Sequence, residues 1–458
     1  MSISDAVTAL TRFGLGPRPG EAGRISDDPR GFVLAQCGRP DGAVIDEAEI
    51  GPTGVLLDLA RAKDGTVPEG LGERLANRLE RVKPNDAGKF NARFAQQVLL
   101  VEIDLRIRRA FGTDDGLVER LVQFWSNHFA VAAGKNNKLE ATAGAFERQA
   151  IRPHVLGRFS DMLLASTRHV AMLTYLDNIK SVGPNAKIAG RDPESGLNEN
   201  LAREILELHT LGVDGGYSQA DVTAFANALT GWTVSSQRGD EAAFRFVARN
   251  HEPGPVTVLG TVYDQQGEDQ GLAILDDLAA HPATARHIAR KLTRHFVGDA
   301  ASEALIGRVA AAFADSGGDL AATTRALVEA DEAWTSPPVK VLPPYDFLVA
   351  TARATRWRPS VIEFNRIVRL LGHPVWDPVS PAGFSDKDDA WAAPDQLLER
   401  MDLCRHIAIV AEKVDGIRLV TRLYGEDASP ETMQTVSRAE SREQSVELLL
   451  MSPEFLRR

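Results

Sequence analysis

Apolar side chains recur every three or four residues along most of the chain, which is the spacing of helices that bury one face. In the stretch GLVERLVQFWSNHFAV, a single stripe collects Leu117, Leu121, Phe124, Trp125 and His128. Comparable stretches follow in both halves, including GLAILDDLAAHPATARHIARKLTRHFVGD and SEALIGRVAAAFADSGGDLAATTRALVEADEAW. The pattern predicts a mainly α protein, a single globular unit of many helices with long loops.

The β signal is confined to AAFRFVARNHEPGPVTVLGTVY, where two short runs of β-branched and aromatic residues flank the turn-forming NHEPGP. This predicts a small β-hairpin insertion around residues 243–263. The proline-punctuated SPPVKVLPP predicts a boundary between a helical core domain, residues 1–335, and a C-terminal helical subdomain, residues 336–458, packed on it. The loop at 181–196 is long for a connector, and loops of that length are often lids or binding loops.

Charge and targeting signals narrow the partners. The chain of 458 residues has a formal net charge of −11 and no dense run of Lys and Arg, which argues against binding to nucleic acid. No run approaches the roughly 18 apolar residues of a membrane span. The N-terminal MSISDAVTALTRFGLGPRPGE lacks the features of a signal peptide. We expect a soluble protein that is cytoplasmic, or exported with a partner.

Several common catalytic signatures are missing from the sequence. It contains no G-x-S-x-G elbow, no phosphate-binding P-loop, no H-E-x-x-H and no Rossmann glycine fingerprint. The two cysteines, Cys37 and Cys404, cannot by themselves form a disulfide framework or a cysteine zinc site. The commonest hydrolase, kinase and dehydrogenase classes are therefore not favoured.

The densest polar stretch is GLNENLAREILELHTLGVDGGYSQADVTAFANALTGW, residues 196–232. Ideal helical geometry, about 100° per residue, places Asn200, Arg203, Glu204 and Glu207 on one polar face. The same geometry puts His209 on the opposite side from Glu207. Side chains three residues apart can share a ligand, so Glu204 and Glu207 form a pair that His209 cannot join.

Two interpretations of this face remain open. In the first, Glu204 and Glu207 supply half of a metal site between helices, and histidine comes from elsewhere. In the second, the face is solvated, and Arg203 forms ion pairs with Glu199 and Glu207, each worth a few tenths of a kcal/mol.

Three polar groups outside this face also stand out. Ser218 and Asp221 have the spacing of a capping box, so Asp221 is predicted to be a helix cap. His128 lies among aromatic residues in FWSNHFAV, as a buried structural histidine or a ligand. His251 lies in a loop beside a carboxylate, where general-base or ligand work is easier to arrange.

The fragments FWSNHFAV, MLTYLDN, HEPGPVTVLG and LGHPVWDPVSPAGF, together with the 196–232 stretch, occur in an order that resembles the bacterial domain-of-unknown-function-1800 family over nearly the whole chain. The family pattern falls on Trp125, Asn127, His128, Asn178, Asn198, Glu199, Asn200, Arg203, Glu204, Glu207, Tyr217, Asp221, Trp232 and His251. The chain departs from it at Glu252, where Asp is usual, at Val256, where Lys is typical, and at Ser126, where another His is common. The resemblance implies a sulfatase-like partner of the domain-of-unknown-function-1501 family.

Two functional hypotheses follow. The first is a metal-dependent enzyme, hydrolytic or oxidative, with a divalent Mn, Fe, Zn or Mg ion. Its predicted catalytic residues are Glu204, Glu207, Arg203 and His251, and its predicted metal ligands are Glu204, Glu207, His128 and His251. The second is a non-catalytic binding or scaffold partner whose polar cluster is structural. Under either hypothesis the surrounding network comprises Asn127, Asn178, Asn198, Glu199, Asn200, Tyr217 and Asp221.

Overall fold

The computed structural model describes residues 5–46, 50–61, 75, 77–79, 82, 94–190, 196–235, 244–411 and 413–458. Up to residue 228, its α-helices are Asp5–Thr8, Glu21–Ile25, Pro29–Gln36, Thr53–Arg61, Phe94–Gly112, Gly116–His128, Asn137–Phe146, Phe159–Arg168, Val170–Tyr175, Asn200–Glu204 and Gln219–Ala228. After the strands come Glu268–Ala280, Pro282–Phe296, Glu303–Asp315, Leu320–Val328, Glu332–Thr335, Pro344–Thr355, Val361–Leu370, Pro394–Val410, Gly416–Tyr424, Pro430–Ser437, Arg442–Leu450 and Pro453–Leu456. The mainly α prediction is confirmed.

Short non-α turns extend several helices. Three are π-helical turns, at Ala9–Phe13, Glu147–Ile151 and Ile205–His209. Others are 3₁₀ turns, at Pro40–Ala43, Ala133–Lys135, Arg152–His154, Asn178–Lys180 and Gly425–Asp427. Two of the π turns carry polar residues of the site described below.

Four short strands form two antiparallel pairs, β1 (Trp232–Val234) with β2 (Phe244–Phe246), and β3 (Val256–Val258) with β4 (Thr261–Tyr263). The small β insertion is confirmed, but the two runs expected to face each other, β2 and β3, belong to different sheets. The reason is local: Leu259 and Gly260 have φ of 51° and 79°, the left-handed pair that closes a tight two-residue hairpin between β3 and β4.

One contiguous hydrophobic cluster contains residues of both predicted parts of the chain, from Val7 to Phe455. Phe111 packs edge-on against Phe364 with ring centroids 6.1 Å apart. Buried Arg353 donates from Nε to the Gly16 carbonyl at 2.9 Å. The domain boundary at residue 335 stays a prediction. The contacts named here join residues before it to residues after it.

Three helices and one loop position the site. Helix Gly116–His128 is tied to helix Pro344–Thr355 by the buried ion pair Arg120–Asp346 at 3.1 Å. Helix Pro282–Phe296 begins with proline at its first position, and its cap residue, His281, accepts from the Ala283 N–H through Nδ1 at 3.1 Å. The Trp376 loop, residues 371–393, joins helix Val361–Leu370 to helix Pro394–Val410. A search of the described helices finds none that is long and apolar enough to cross a membrane.

Candidate functional site

A pocket of about 950 Å³, its open mouth included, lies between helices Gly116–His128, Pro282–Phe296 and Pro344–Thr355 and the Trp376 loop. Its charged lining residues are Arg106, Lys291, Lys340, Lys387, Arg458, Asp346 and Asp386. Five of these are cations and two are carboxylates. The lining thus has more cations than carboxylates in a chain whose net charge is −11, and two of these cations pair with carboxylates outside the lining, Glu147 and Asp388.

At the inner wall of this pocket, Lys291 Nζ lies 3.0 Å from Nδ1 of the buried His128. The other ring nitrogen, Nε2, lies 3.1 Å from the carbonyl oxygen of His209. A carbonyl can only accept, so we assign the ring proton to Nε2 and the lone pair to Nδ1, which then accepts from Lys291. Burial, together with the charge of Lys291, holds the pKa of His128 well below its ordinary value, so the ring is neutral.

The two carbonyls that end the π turn Ile205–His209 are both capped by histidines. Nε2 of His287 lies 3.1 Å from the Leu208 carbonyl, as Nε2 of His128 does from the next one. Such carbonyls have no partner within their own helix and need a donor from outside. Burial lowers the pKa of His209 to about 3 and that of His287 to about 4, with Lys291 acting in the same direction. This capping attaches the 196–232 stretch to the pocket.

Lys291 lies in the wall of the pocket, and none of the described carboxylates forms an ion pair with it. Burial lowers the pKa of Lys291 to about 8; Asp386 opposes that shift and Arg294 adds to it. Two of the other cations are held in ion pairs, whereas Lys387 is exposed. Arg106 pairs with Glu147 at 3.0 Å, and Lys340 pairs with Asp388 at 3.3 Å.

Three buried nitrogens of the pocket lining lack a hydrogen-bond partner among the described residues. They are Nε and Nη1 of Arg458, which is 2% exposed, and Nε2 of His295. Arg458 reaches Asp346 through Nη1 at 3.4 Å, but Asp346 is already paired with Arg120. Unpaired buried donors are costly, and a shift of the Arg458 side chain would let a polar ligand in the pocket satisfy its nitrogens.

The Trp376 loop is held in a strained conformation. Trp376 has φ of 52°, a left-handed value that a bulky side chain rarely adopts. Its carbonyl accepts from the Ala133 N–H at 2.8 Å, and its indole N–H donates to Glu147 at 2.8 Å. Strain of this kind persists only where the surroundings over-determine it, and it clusters at functional sites.

Asn127 fixes the far side of the same loop. Its Nδ2 donates to the carbonyl of Phe384 at 2.9 Å, and its Oδ1 accepts from the Phe384 N–H at 2.7 Å. The neighbouring Gly383 has φ of 78°, and a Cβ there would lie 2.4 Å from the Asn127 carbonyl oxygen. Asn127, predicted as a network residue, therefore shapes the pocket by holding its loop.

Glu147 is a buried carboxylate that contacts several residues around the pocket. It accepts from Ser126 Oγ at 2.8 Å and pairs with Arg106 at 3.0 Å and Arg152 at 2.9 Å. Burial opposes ionisation, but the two guanidinium groups keep the pKa of Glu147 below its ordinary value. Ser126 thus donates a hydrogen bond to a buried carboxylate.

The predicted pair Glu204 and Glu207 lies half-buried outside this pocket. Burial, and then the charge of Glu207, raises the pKa of Glu204. Glu207 accepts from the Tyr217 hydroxyl at 3.3 Å. Arg203 pairs with Glu199 at 2.9 Å, as one interpretation expected, whereas the Arg203–Glu207 pair is not among the ion pairs of the described residues.

The helix that carries Glu204 and Glu207 is not a regular α-helix over its whole length. The helix is α only over Asn200–Glu204 and turns to π over Ile205–His209, so the spacing of 100° per residue fails after Glu204. His209 is buried, while Glu207 is half-buried against Tyr217. Their predicted separation agrees with this arrangement.

His251 and its neighbour anchor a loop. His251 Nδ1 lies 3.1 Å from the Thr230 carbonyl. Buried Glu252 accepts from the backbone N–H of Asn185 at 2.8 Å and from its side-chain Nδ2 at 2.6 Å. The described part of the 181–196 loop therefore docks on Glu252; residues 191–195 lie outside the description. Glu252 thus holds this loop through two hydrogen bonds from Asn185.

The structure does not bring the four predicted metal ligands to one point. Across the described residues, no group of three or more His, Cys, Asp or Glu side chains could hold a metal ion. Both ring nitrogens of His128 already have partners, Lys291 and the His209 carbonyl.

The remaining predicted network residues hold turns. Asn178 donates to the carbonyls of Leu229 and Trp232 at 3.2 and 2.9 Å. Asn198 Oδ1 accepts from the N–H of Asn200, which is itself exposed. The capping box of Ser218 and Asp221 is present as predicted, and Asp221 also accepts from the Leu259 N–H at 2.7 Å.

Sequence reasoning missed Lys291, His295, Glu147 and Arg458. One signal could have drawn attention to the first. The chain has 11 lysines against 41 arginines, and three of those lysines, Lys291, Lys340 and Lys387, line this pocket. His295 looked like an ordinary helical histidine.

Comparison with known proteins gives one result. Neither the curated proteins nor the solved structures contain a match to this chain. The family model described as "Protein of unknown function (DUF1800)" matches residues 8–457, nearly the whole length. The chain therefore belongs to the DUF1800 family, as the resemblance in its motifs implied.

Proposed function

We propose that the protein binds a small organic anion in the pocket beside Lys291. The observation that carries this proposal is the concentration of five cations against two carboxylates in one pocket of an otherwise acidic chain. Lys291 has no carboxylate partner among the described residues, and Arg458 Nε and His295 Nε2 are unpaired. An acidic group on a ligand would complement them.

The remaining lining suits the apolar body of such a ligand. Trp376, Trp391, Phe384 and Tyr345 all line the pocket, and the rings of Phe384 and Trp391 lie 6.3 Å apart. Pockets for small molecules are typically mostly apolar, with a few polar groups that fix orientation. The combination favours a flat or ring-containing acid over an inorganic ion.

Lys291 and His128 also suit an enzymatic role. The ammonium of Lys291 can give a proton to a bound ligand. His128 Nδ1 lies 3.0 Å from Lys291 Nζ and can accept a proton from the ligand. An enzyme built on this pocket would use the pair for proton transfer and the cations to neutralise developing negative charge.

Two finer proposals rest on the family resemblance. One is a sulfatase-like partner, whose sulfate esters would be anions of the class proposed here. The other is metal dependence through Glu204 and Glu207, which would need further ligands in addition to those that the described residues bring together. The non-catalytic alternative keeps the same pocket as a binding site for the partner's ligand.

Calorimetric titration with a matched pair of probes, benzoate and benzylamine, tests the proposal. They share a ring and differ in charge, so we expect benzoate to bind and benzylamine to give no measurable heat. Lys291→Met should weaken benzoate binding by about 10- to 100-fold, the worth of one charge-assisted hydrogen bond. Lys138→Met, at an exposed lysine, is the control. Equal binding of both probes, or unchanged affinity in Lys291→Met, would refute it.

A further inference from the structure

We infer that Lys291 is a nucleophilic amine that forms an imine with its ligand, which is therefore an aldehyde or ketone that also carries an acidic group. The acidic group rests on the proposed function, whereas the carbonyl group is new. Three features of the pocket support it: the accessibility of the amine, its proton acceptor, and the groups left for the acid.

Lys291 lines the pocket, and its amine is not held in an ion pair. The hydrogen bond of Nζ runs to the neutral His128. An ion pair with a carboxylate would hold the amine in its unreactive ammonium form, and none of the described carboxylates makes one. Lys340, in contrast, is 3% exposed and paired with Asp388 at 3.3 Å.

The surroundings raise the fraction of Lys291 that is uncharged. Burial and Arg294 disfavour its charge, and the histidines around it, His128, His209 and His287, are themselves neutral; only Asp386 opposes the trend. With a pKa of about 8, roughly a tenth of Lys291 is uncharged at pH 7. An ordinary lysine is uncharged in less than about one molecule in a thousand.

The imine step balances with the groups present. The uncharged Nζ forms a bond to the carbonyl carbon, and one of its two protons passes by way of Nδ1 of His128 to the carbonyl oxygen, which becomes a hydroxyl. The second proton of the nitrogen follows the same route to the hydroxyl, which leaves as water when the C–O bond breaks and the C=N bond forms. One amine and one carbonyl give one imine and one water, without an oxidant or reductant.

The acid of the ligand has its own place. Arg458 Nε and His295 Nε2 are buried and have no hydrogen-bond partner among the described residues, so a small shift of the Arg458 side chain would present its guanidinium to the acid. Both residues line the same pocket as Lys291. A carbonyl group on Lys291 with an acidic group toward Arg458 would use the reactive amine and the unpaired donor together.

Trapping with pyridoxal 5′-phosphate and borohydride tests this inference. The reagent carries an aldehyde, a ring and a phosphate, and borohydride reduces its imines to stable amines that peptide mass spectrometry locates. At limiting reagent we expect Lys291 to be labelled at least tenfold more than the exposed Lys138 and Lys187. Labelling of those two lysines with Lys291 untouched would overturn the inference.

Controls separate this result from the proposed function. Benzoate should protect Lys291 from labelling without protecting Lys138, and Lys291→Met, checked for folding by circular dichroism, should lose the selective adduct. Benzoate binding with Lys291 unlabelled would refute the imine and leave anion binding in place. Labelling of Lys291 without benzoate binding would support the amine and refute the general anion site.

Discussion

Replacing Asn127 by alanine should loosen the Trp376 loop without unfolding the protein. The Asn127 side chain makes two hydrogen bonds to the backbone of one residue, Phe384, at 2.7 and 2.9 Å. They join parts of the chain 257 residues apart, so alanine removes a long-range fastening and not a local turn.

The magnitude follows from those two bonds. Each is worth about 0.5–1.5 kcal/mol, so the variant loses about 1–3 kcal/mol of loop stability. At about 2.1 cal/mol/K per residue, a protein of 458 residues unfolds with an entropy near 1 kcal/mol/K, so Tm falls by only about 1–3 °C. Local opening of the loop should instead rise by about 5- to 150-fold.

Hydrogen exchange with mass spectrometry measures that difference. Peptides covering residues 376–391 should exchange faster in Asn127→Ala, while peptides from helix Val361–Leu370 stay protected. Asn200→Ala, an exposed asparagine, is the matched control and should change neither. Unchanged exchange over residues 376–391 would show that these two hydrogen bonds do not hold the loop, and the reasoning about the pocket wall would be wrong.

Three further outcomes are expected. Burial raises the pKa of Glu204, so its ionisation destabilises the fold as pH rises from the ordinary glutamate pKa through the raised pKa. Glu204→Gln should therefore raise Tm by about 1 °C at pH 7 and not at pH 4. An equal Tm shift at both pH values would contradict this. Benzoate affinity should fall about tenfold per pH unit above pH 8, because the Lys291 ammonium then loses its proton; burial, Asp386 and Arg294 set its pKa. A flat affinity profile in titrations from pH 6 to 10 would exclude Lys291 as the charge that binds benzoate. Ser218→Ala should cost about 1 kcal/mol of local stability through the lost cap, visible as faster exchange in the first turn of its helix, and wild-type exchange there would contradict it.

The sequence predicted what depends on neighbouring residues. Helical periodicity gave the mainly α fold, and the Ser218–Asp221 spacing gave the capping box, because both arise within a few residues of chain. The Glu199–Arg203 pair was expected for the same reason. The π turn Ile205–His209 was not predicted, because its last carbonyls bind donors from other helices. These donors are His128 and His287.

The pocket could not be found in this way. Lys291 and His128 are 163 residues apart, and the pattern around each is that of an ordinary helix. Periodicity shows which face of a helix is buried, but not which other face it meets. The strain at Trp376 is equally invisible, because it arises from contacts with Ala133 and Glu147 across the fold.

The double duty of His128 decides which variants can be interpreted. Its Nε2 caps a helix-end carbonyl and its Nδ1 faces Lys291, so alanine would remove a structural donor and a proton acceptor together. Loss of function in an alanine scan would then say nothing about chemistry. Glutamine carries an N–H donor at a reach similar to Nε2 and has no lone pair at the place of Nδ1. His128→Gln is therefore the substitution that separates architecture from reactivity at this position.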